Sequence, residues 1–295
     1  MKPWIRRSAV GAVCLVVLVA VAVVVATQLA EQKMHRHVDV AVAPLALPTD
    51  AQAIERGRYL YASRGCGECH GANGGGRVFF DDGKGRKLVG PHISPGAGSV
   101  TAAYRTEDWV RTVRHGVKPS GEPVMIMPSE DYNRFTDGDL GALLAYVKQM
   151  PAATGGGAAL ELPLLRRVLY GLGAIKDAAA KIDHSLPVQQ PVAEGVTVEH
   201  GKYVANLCLG CHGPQLAGGK VPGGPPNWPP AARLSAGEGN VIAARYADAD
   251  TFLKMFKSGA RPDGSKIAAM PFESMAQLSD TDARALHLYL KSLVK

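Results

Sequence analysis

Apolar and polar positions alternate with different periods in different parts of the chain. Residues 9–26 are almost uninterruptedly apolar, and the run reaches Ala30 through Thr27, Gln28 and Leu29. About 20 apolar residues cross the hydrocarbon core of a bilayer as a helix, whereas the apolar part of a secretory signal is about 7–15 residues long. Residues 1–35 therefore read as an N-terminal membrane anchor, with a long cleavable signal peptide as the alternative. Lys2, Arg6 and Arg7 precede the run. That charge points to a cytoplasmic N-terminus and puts the chain after about residue 35 outside.

Beyond the anchor the apolar period is helical, and the helices are short. Residues 54–61 and 198–206 carry apolar side chains at helical spacing. Thr106, followed by Glu107 and Asp108, opens another helix that ends before Gly116, since acids suit the positive end of a helix dipole. Thr136 and Ser279 are N-cap candidates for helices reaching about residues 149 and 293. The stretches between, such as 74–76 and 222–230, are rich in Gly and Pro. With 34 Gly, 20 Pro and only 6 % aromatic residues in 295, small helical units are expected to form around something other than protein. The expected class is all-α.

The units repeat. Cys66, Cys69 and His70 recur as Cys208, Cys211 and His212 at an offset of 142. Trp109, Met127, Pro128, Asp137, Asp139, Leu143 and Tyr146 face Phe252, Met270, Pro271, Asp280, Asp282, Leu286 and Tyr289 at a constant 143. A fixed offset over some 40 positions marks a duplicated module. The expected organisation is an anchor at 1–35, domains at 48–152 and 194–295, and a linker at 153–193 with one helix over about 163–181. The linker helix is expected to pack between the domains, with a membrane-surface role for Arg166 and Arg167 as the lesser alternative. Tyr59 and Tyr203, with Tyr146 and Tyr289, are expected to pack where the first and last helices of each domain cross. Trp109 and Phe252 are expected near whatever fills each core.

The segments CGECH and CLGCH supply that filling, because C-x-x-C-H is the pattern of covalent c-type haem attachment. Two thiols one helical turn apart can add to the two vinyl groups of a porphyrin, and the adjacent imidazole then reaches the iron. Cys66 and Cys69 would hold one haem c and Cys208 and Cys211 a second, with His70 and His212 as iron ligands. A redox dithiol or half a zinc site is the alternative, but the repeat offers no further matched Cys or His ligands. Methionine is the usual distal ligand of electron-carrying cytochromes c, because its thioether raises the reduction potential. Met127 and Met270 lie 57 and 58 residues after their histidines, each followed by Pro. Met125 and Met275 lack a methionine counterpart. His92 and His115 read as loop residues, the second copy having Asn227 and Ser258 thereabouts. Cys14 stands alone in the apolar run and reads as packing.

Charge adds an exclusion. The net +7 divides as +3 over residues 1–47, +1 over 48–152, +1 over 153–193 and +2 over 194–295. Four ionised haem propionates would cancel the excess outside the anchor, so a nucleic-acid partner is not expected.

With both motifs in view, the chain resembles the cytochrome c superfamily, and more narrowly the cytochrome c subunits of membrane-bound bacterial dehydrogenases of alcohols, aldehydes and sugar acids. The carrying stretches are RYLYASRGCGECHG, PHIS, TEDWVRTVRHGVKPSGEPVMIMPS with the following DGDLGALLAYV, GKYVANLCLGCHG and ARPDGSKIAAMPF. Those subunits usually carry three haems, and an uncleaved N-terminal anchor is not their commonest arrangement. The resemblance implies two tandem cytochrome c domains on the periplasmic side of a bacterial inner membrane. It also implies redox-protein partners, namely a dehydrogenase or quinol-oxidising donor and a terminal oxidase or other cytochrome as acceptor. An electron carrier rather than an enzyme is expected. A dihaem peroxidase or thiosulfate dehydrogenase, or a cytochrome subunit of a terminal oxidase, is the alternative.

Overall fold

Helix caps fall where short polar side chains precede apolar runs. In the computed structural model, which describes residues 2–294 apart from 84, 223, 225 and 226, Asp50, Thr136 and Ser279 each accept a hydrogen bond from the backbone N–H three residues on, at 2.8, 3.1 and 3.1 Å. Part of the Gly/Pro-rich stretch at 222–230, and the outermost positions 1 and 295, lie outside the described residues.

The chain begins with α1 (Pro3–Met34), which is long and apolar enough to cross a membrane. The first module then runs α2 (Ala51–Ser63), α3 (Cys66–His70), β1 (Arg77–Asp81), β2 (Lys87–Gly90), α4 (Thr106–His115), α5 (Ser129–Tyr132) and α6 (Asp137–Gln149). After β3 (Ala159–Glu161), α7 (Leu164–Gly171) and α8 (Ala178–Lys181), the second module follows. It comprises α9 (Val198–Val204), a 3₁₀ turn (Ala205–Cys208), α10 (Leu209–His212), α11 (Val241–Arg245), α12 (Ala249–Ser258), α13 (Phe272–Met275) and α14 (Asp280–Ser292).

In each module the first and last helices cross at a glycine. A Cβ on Gly57 would overlap the Ala142 carbonyl and the Tyr146 Cβ; one on Gly201 would overlap the Ala285 carbonyl and the Tyr289 Cβ. Each crossing closes a separate core, one around Leu60, Val110, Leu140 and Leu144, the other around Val204, Ile242, Phe252 and Leu286. Both architectures are helical, but the first module adds an antiparallel hairpin of β1 and β2. At the corresponding place in the second module, the described residues form the bridge of Gly219 with Ala231.

The inter-module segment departs from expectation in two ways. It holds two short helices, α7 and α8, rather than one, because Gly173 adopts a left-handed φ of 83° and ends the first. It also contributes β3, which pairs antiparallel with β2 and completes a three-stranded sheet. Nor does α7 fill the crevice between the modules. It packs along the last turns of α1, burying Ala26 and Ala30 on one stripe, and a Cβ on Gly171 would overlap the Ala26 carbonyl.

The modules meet reciprocally. Tyr59 of the first donates to Asp282 of the second, and Tyr203 of the second donates to Asp139 of the first, both at 2.7 Å. A second exchange lies nearer the cysteine motifs: the Ser274 N–H donates to Glu68, and the Gly210 N–H to Asp131. The hydroxyls of Tyr59 and Tyr203 thus reach across to the other module, while the Tyr59 ring packs against the core of its own. Tyr146 does stay within its crossing, edge-on to Tyr61 with ring centroids 5.8 Å apart.

Candidate functional site

The first C-x-x-C-H segment is one short helix, α3, and the second passes from the end of a 3₁₀ turn at Cys208 into α10; in both, the two cysteines are three residues apart on helical backbone with the histidine at the end. The His70 Nδ1–H donates to the Pro91 carbonyl and the His212 Nδ1–H to the Ala232 carbonyl, both at 2.8 Å. A carbonyl can only accept, so the proton sits on Nδ1, and Nε2 keeps its lone pair for a metal. Burial holds both imidazoles below their ordinary pKa, which keeps them neutral and able to ligate at neutral pH.

The thiols do not fit a redox dithiol. Burial pushes Cys66 and Cys208 up to about 12 and Cys69 up to about 11, and raises Cys211 as well. Reactive thiols need the opposite shift. No disulfide joins them, and no group of three or more His, Cys, Asp or Glu side chains gathers around a metal-sized site among the described residues.

What the second module offers instead is a cleft walled mostly by apolar side chains, the usual character of a site for an organic cofactor. Cys208, Cys211, His212, Leu234, Phe252 and Met270 lie in its walls. The motif and the methionine 58 residues later therefore face one cavity, and Met275 shares it. In the first module Cys66, Ile93, Tyr104 and Met127 pack against one core that includes Trp109. The residues present thus fit a porphyrin: two thiols, a neutral imidazole with an available Nε2, a thioether and an apolar wall.

The other histidines are engaged elsewhere. His92 is fully buried and its Nε2 lies 3.1 Å from the Ser94 hydroxyl. Its backbone counterpart is Arg233 rather than Asn227, since residues 93 and 94 bond Gly74 just as 234 and 235 bond Leu216. His115 is the last residue of α4, not a loop residue, and sits 3.1 Å from His184, Nδ1 to Nδ1. Burial, with His184 adding to it, takes its pKa down to about 4.

Sequence reasoning missed the two carbonyls that orient the histidines, although the matched Ile93-Ser94 and Leu234-Ser235 pairs mark that loop. It also missed Gly57 and Gly201, which recur two residues before Tyr59 and Tyr203.

Comparison with known proteins agrees with this geometry. Residues 52–147 match the family described as cytochrome c oxidase, cbb3-type, subunit III, and residues 198–294 match the cytochrome c family. The chain is 25 % identical over 271 residues to the fructose dehydrogenase cytochrome subunit of Gluconobacter japonicus, covering 83 % of this chain and 54 % of that one. It is 27 % identical over 278 residues to the cytochrome c subunit of the quinone-dependent alcohol dehydrogenase of Gluconobacter oxydans (strain 621H), covering 84 % and 56 %. The chain spans about half the length of these curated relatives.

Proposed function

From a chain with two cytochrome c domains, each binding one haem c covalently through its cysteine pair, we propose a single-electron carrier held by α1 at the periplasmic face of a bacterial inner membrane. The domains are taken as 48–152 and 194–295, joined by 153–193. A bound haem c supplies the one-electron couple. The chain's own residues set its coordination: His70 and Met127 at the first iron, His212 and Met270 at the second.

The observation that carries this assignment is the cleft of the second module, whose walls hold both His212 and Met270; His70 and Met127 are assigned by their matching positions in the sequence repeat. A His/Met pair leaves no open position for substrate, so the chain moves electrons and performs no chemistry of its own. The apolar walls keep water from the site and limit reorganisation when charge changes. Donor and acceptor are assigned by likeness to the two dehydrogenase cytochrome subunits: a dehydrogenase or quinol-oxidising donor, and a terminal oxidase or another cytochrome. The oxidase-subunit description matched by residues 52–147 favours a second reading, a cytochrome subunit of a terminal oxidase. The partner that co-purifies with the full chain decides between them.

The anchor assignment is supported by how α1 ends. Lys33 donates to the Gly171 carbonyl at 2.6 Å, and Arg36 binds Asp177 through two hydrogen bonds of 2.6 and 2.8 Å. Cleavage near residue 30 would strip Ala26 and Ala30 from Gly171. The intact mass of the mature protein is expected to include residues 1–30.

Substituting Met270→Ala tests the coordination. About half of the methionine-to-iron charge-transfer absorption of the oxidised protein should disappear, and the second haem should bind carbon monoxide. An unchanged band rejects Met270 as a ligand.

A further inference from the structure

α7 exposes apolar side chains in a specific place. Leu164, Leu165 and Leu172, on and just after this helix, are 58 %, 68 % and 66 % exposed. They follow one another at amphipathic spacing, while Tyr170 and Gly171 on the same helix are buried. What α7 packs against is α1, along a stripe of Val23, Ala26, Thr27, Ala30, Lys33 and Met34, the positions at which that helix loses exposure. Residues 3–22 of α1 are exposed throughout.

The depth of this contact follows from the anchor reading, on which the inference rests. At 1.5 Å per residue, a hydrocarbon core of about 30 Å takes up about 20 residues. A span beginning near Ala9 therefore leaves the core near Ala26 to Ala30, the level at which α7 is docked. Charged contacts hold it there. Arg167 lies 3.5 Å from Glu31, Lys33 reaches the Tyr170 and Gly171 carbonyls, and Arg36 joins Asp177 and the Tyr170 hydroxyl. These groups suit the headgroup layer, where Lys and Arg side chains can keep their charge in water while their stems lie along apolar surface. Arg166, Arg167 and Lys176 add positive charge of the kind that anionic headgroups attract.

We infer that α7 is a second membrane contact: it lies in the outer interface of the bilayer beside α1, with Leu164, Leu165 and Leu172 among the acyl chains. A helix flat in the interface with a basic polar side and an apolar side is a known mode of membrane association. The consequence is orientational. A single span tethers the modules but leaves them free to rotate. A span clamped to an interfacial helix, itself continuous with β3 on one side and with α8 on the other, fixes which face of the two modules is turned toward the membrane and which toward soluble partners.

Nitroxide labels read the depth directly. In a Cys14→Ser background, the full chain with its haems is labelled singly at Leu165→Cys, Leu172→Cys, Val19→Cys or Gln190→Cys. The reduced protein is placed in vesicles of phosphatidylcholine and phosphatidylglycerol, and collision with oxygen is compared with collision with a water-soluble nickel chelate. Labels at 165 and 172 should meet oxygen several-fold more often than the chelate, as the label at 19 does, while 190 shows the reverse. If 19 favours oxygen but 165 and 172 favour the chelate, α1 spans the bilayer and the leucines face water or a protein partner, which overturns the inference. If 19 also favours the chelate, the anchor reading fails and the inference fails with it.

Discussion

Asp139 and Asp282 occupy the same place in the two modules, the third residue of the final helix, yet their surroundings differ. Asp139 is bound by Arg56 of its own module through two hydrogen bonds of 2.8 and 3.0 Å, receives the Tyr203 hydroxyl, and keeps 13 % of its side chain exposed. Asp282 is fully buried. Its own module supplies His200 at 2.8 Å where the first module has Arg56, and the positive charge comes across the boundary from Arg64 at 2.7 Å. Arg64 is itself only 3 % exposed. A duplicated interface is thus symmetric in its tyrosines and asymmetric in its cations. The second aspartate depends on the neighbouring module for charge balance, and the first does not.

The largest test of that contrast is truncation of each aspartate. Asp282→Ala leaves the Arg64 guanidinium buried and unpaired, a situation that costs about 3–5 kcal/mol. Asp139→Ala leaves Arg56, which is 23 % exposed and lies 3.6 Å from Glu194, so its loss should be nearer the 1–3 kcal/mol of an unsatisfied polar group. Guanidinium midpoints of the haem-loaded chain rank the two, and the reverse order would break the comparison.

A smaller effect appears on acidification. The Arg64 charge, with hydrogen bonds from Arg64, Tyr59 and His200, outweighs burial and holds the Asp282 carboxyl at about 2 against an ordinary 3.8. A depressed carboxyl pKa contributes stability that is complete above the unfolded value and lost as pH falls toward the folded one. The boundary between the modules should therefore hold at pH 5 and weaken between about 4 and 2, seen as a falling midpoint that Asp282→Asn abolishes. Asp131, at the same boundary, shifts the other way. Burial raises it to about 7, so it opposes folding increasingly as pH rises toward neutrality, and Asp131→Asn should stabilise the protein at pH 8 but not at pH 4. The smallest effect is expected at Arg77 and Glu273, which pair across the boundary at 3.0 Å but are 42 % and 62 % exposed. Glu273→Ala should change stability by about 0–1 kcal/mol, and less still in high salt.

These contrasts separate what the sequence carried from what only the fold supplied. The cysteine motifs, the duplication, the caps at Thr136 and Ser279 and the apolar run of α1 are local or periodic, and each was legible from residue types alone. The exchange of Tyr59 and Tyr203 was not. Both tyrosines lie on amphipathic helices where packing within one module explains them equally well, and the choice depends on how two folded bodies dock. β3 escaped for a similar reason: three residues in a Gly-rich segment carry no strand signal until β2 offers them an edge. Nothing in the local sequence marks Arg64, two residues before its cysteine motif, as a buried charge. Only the burial of Asp282, more than 200 positions away, makes it a structural one.

The claim on which the electron-carrier function depends is that both irons are closed by methionine. Near-infrared magnetic circular dichroism of the oxidised full-length chain, scaled to its haem content, counts the ligand pairs. Two histidine–methionine haems per chain, with no high-spin signal, is the predicted result. A bis-histidine signature, or one haem with an open position, would contradict it.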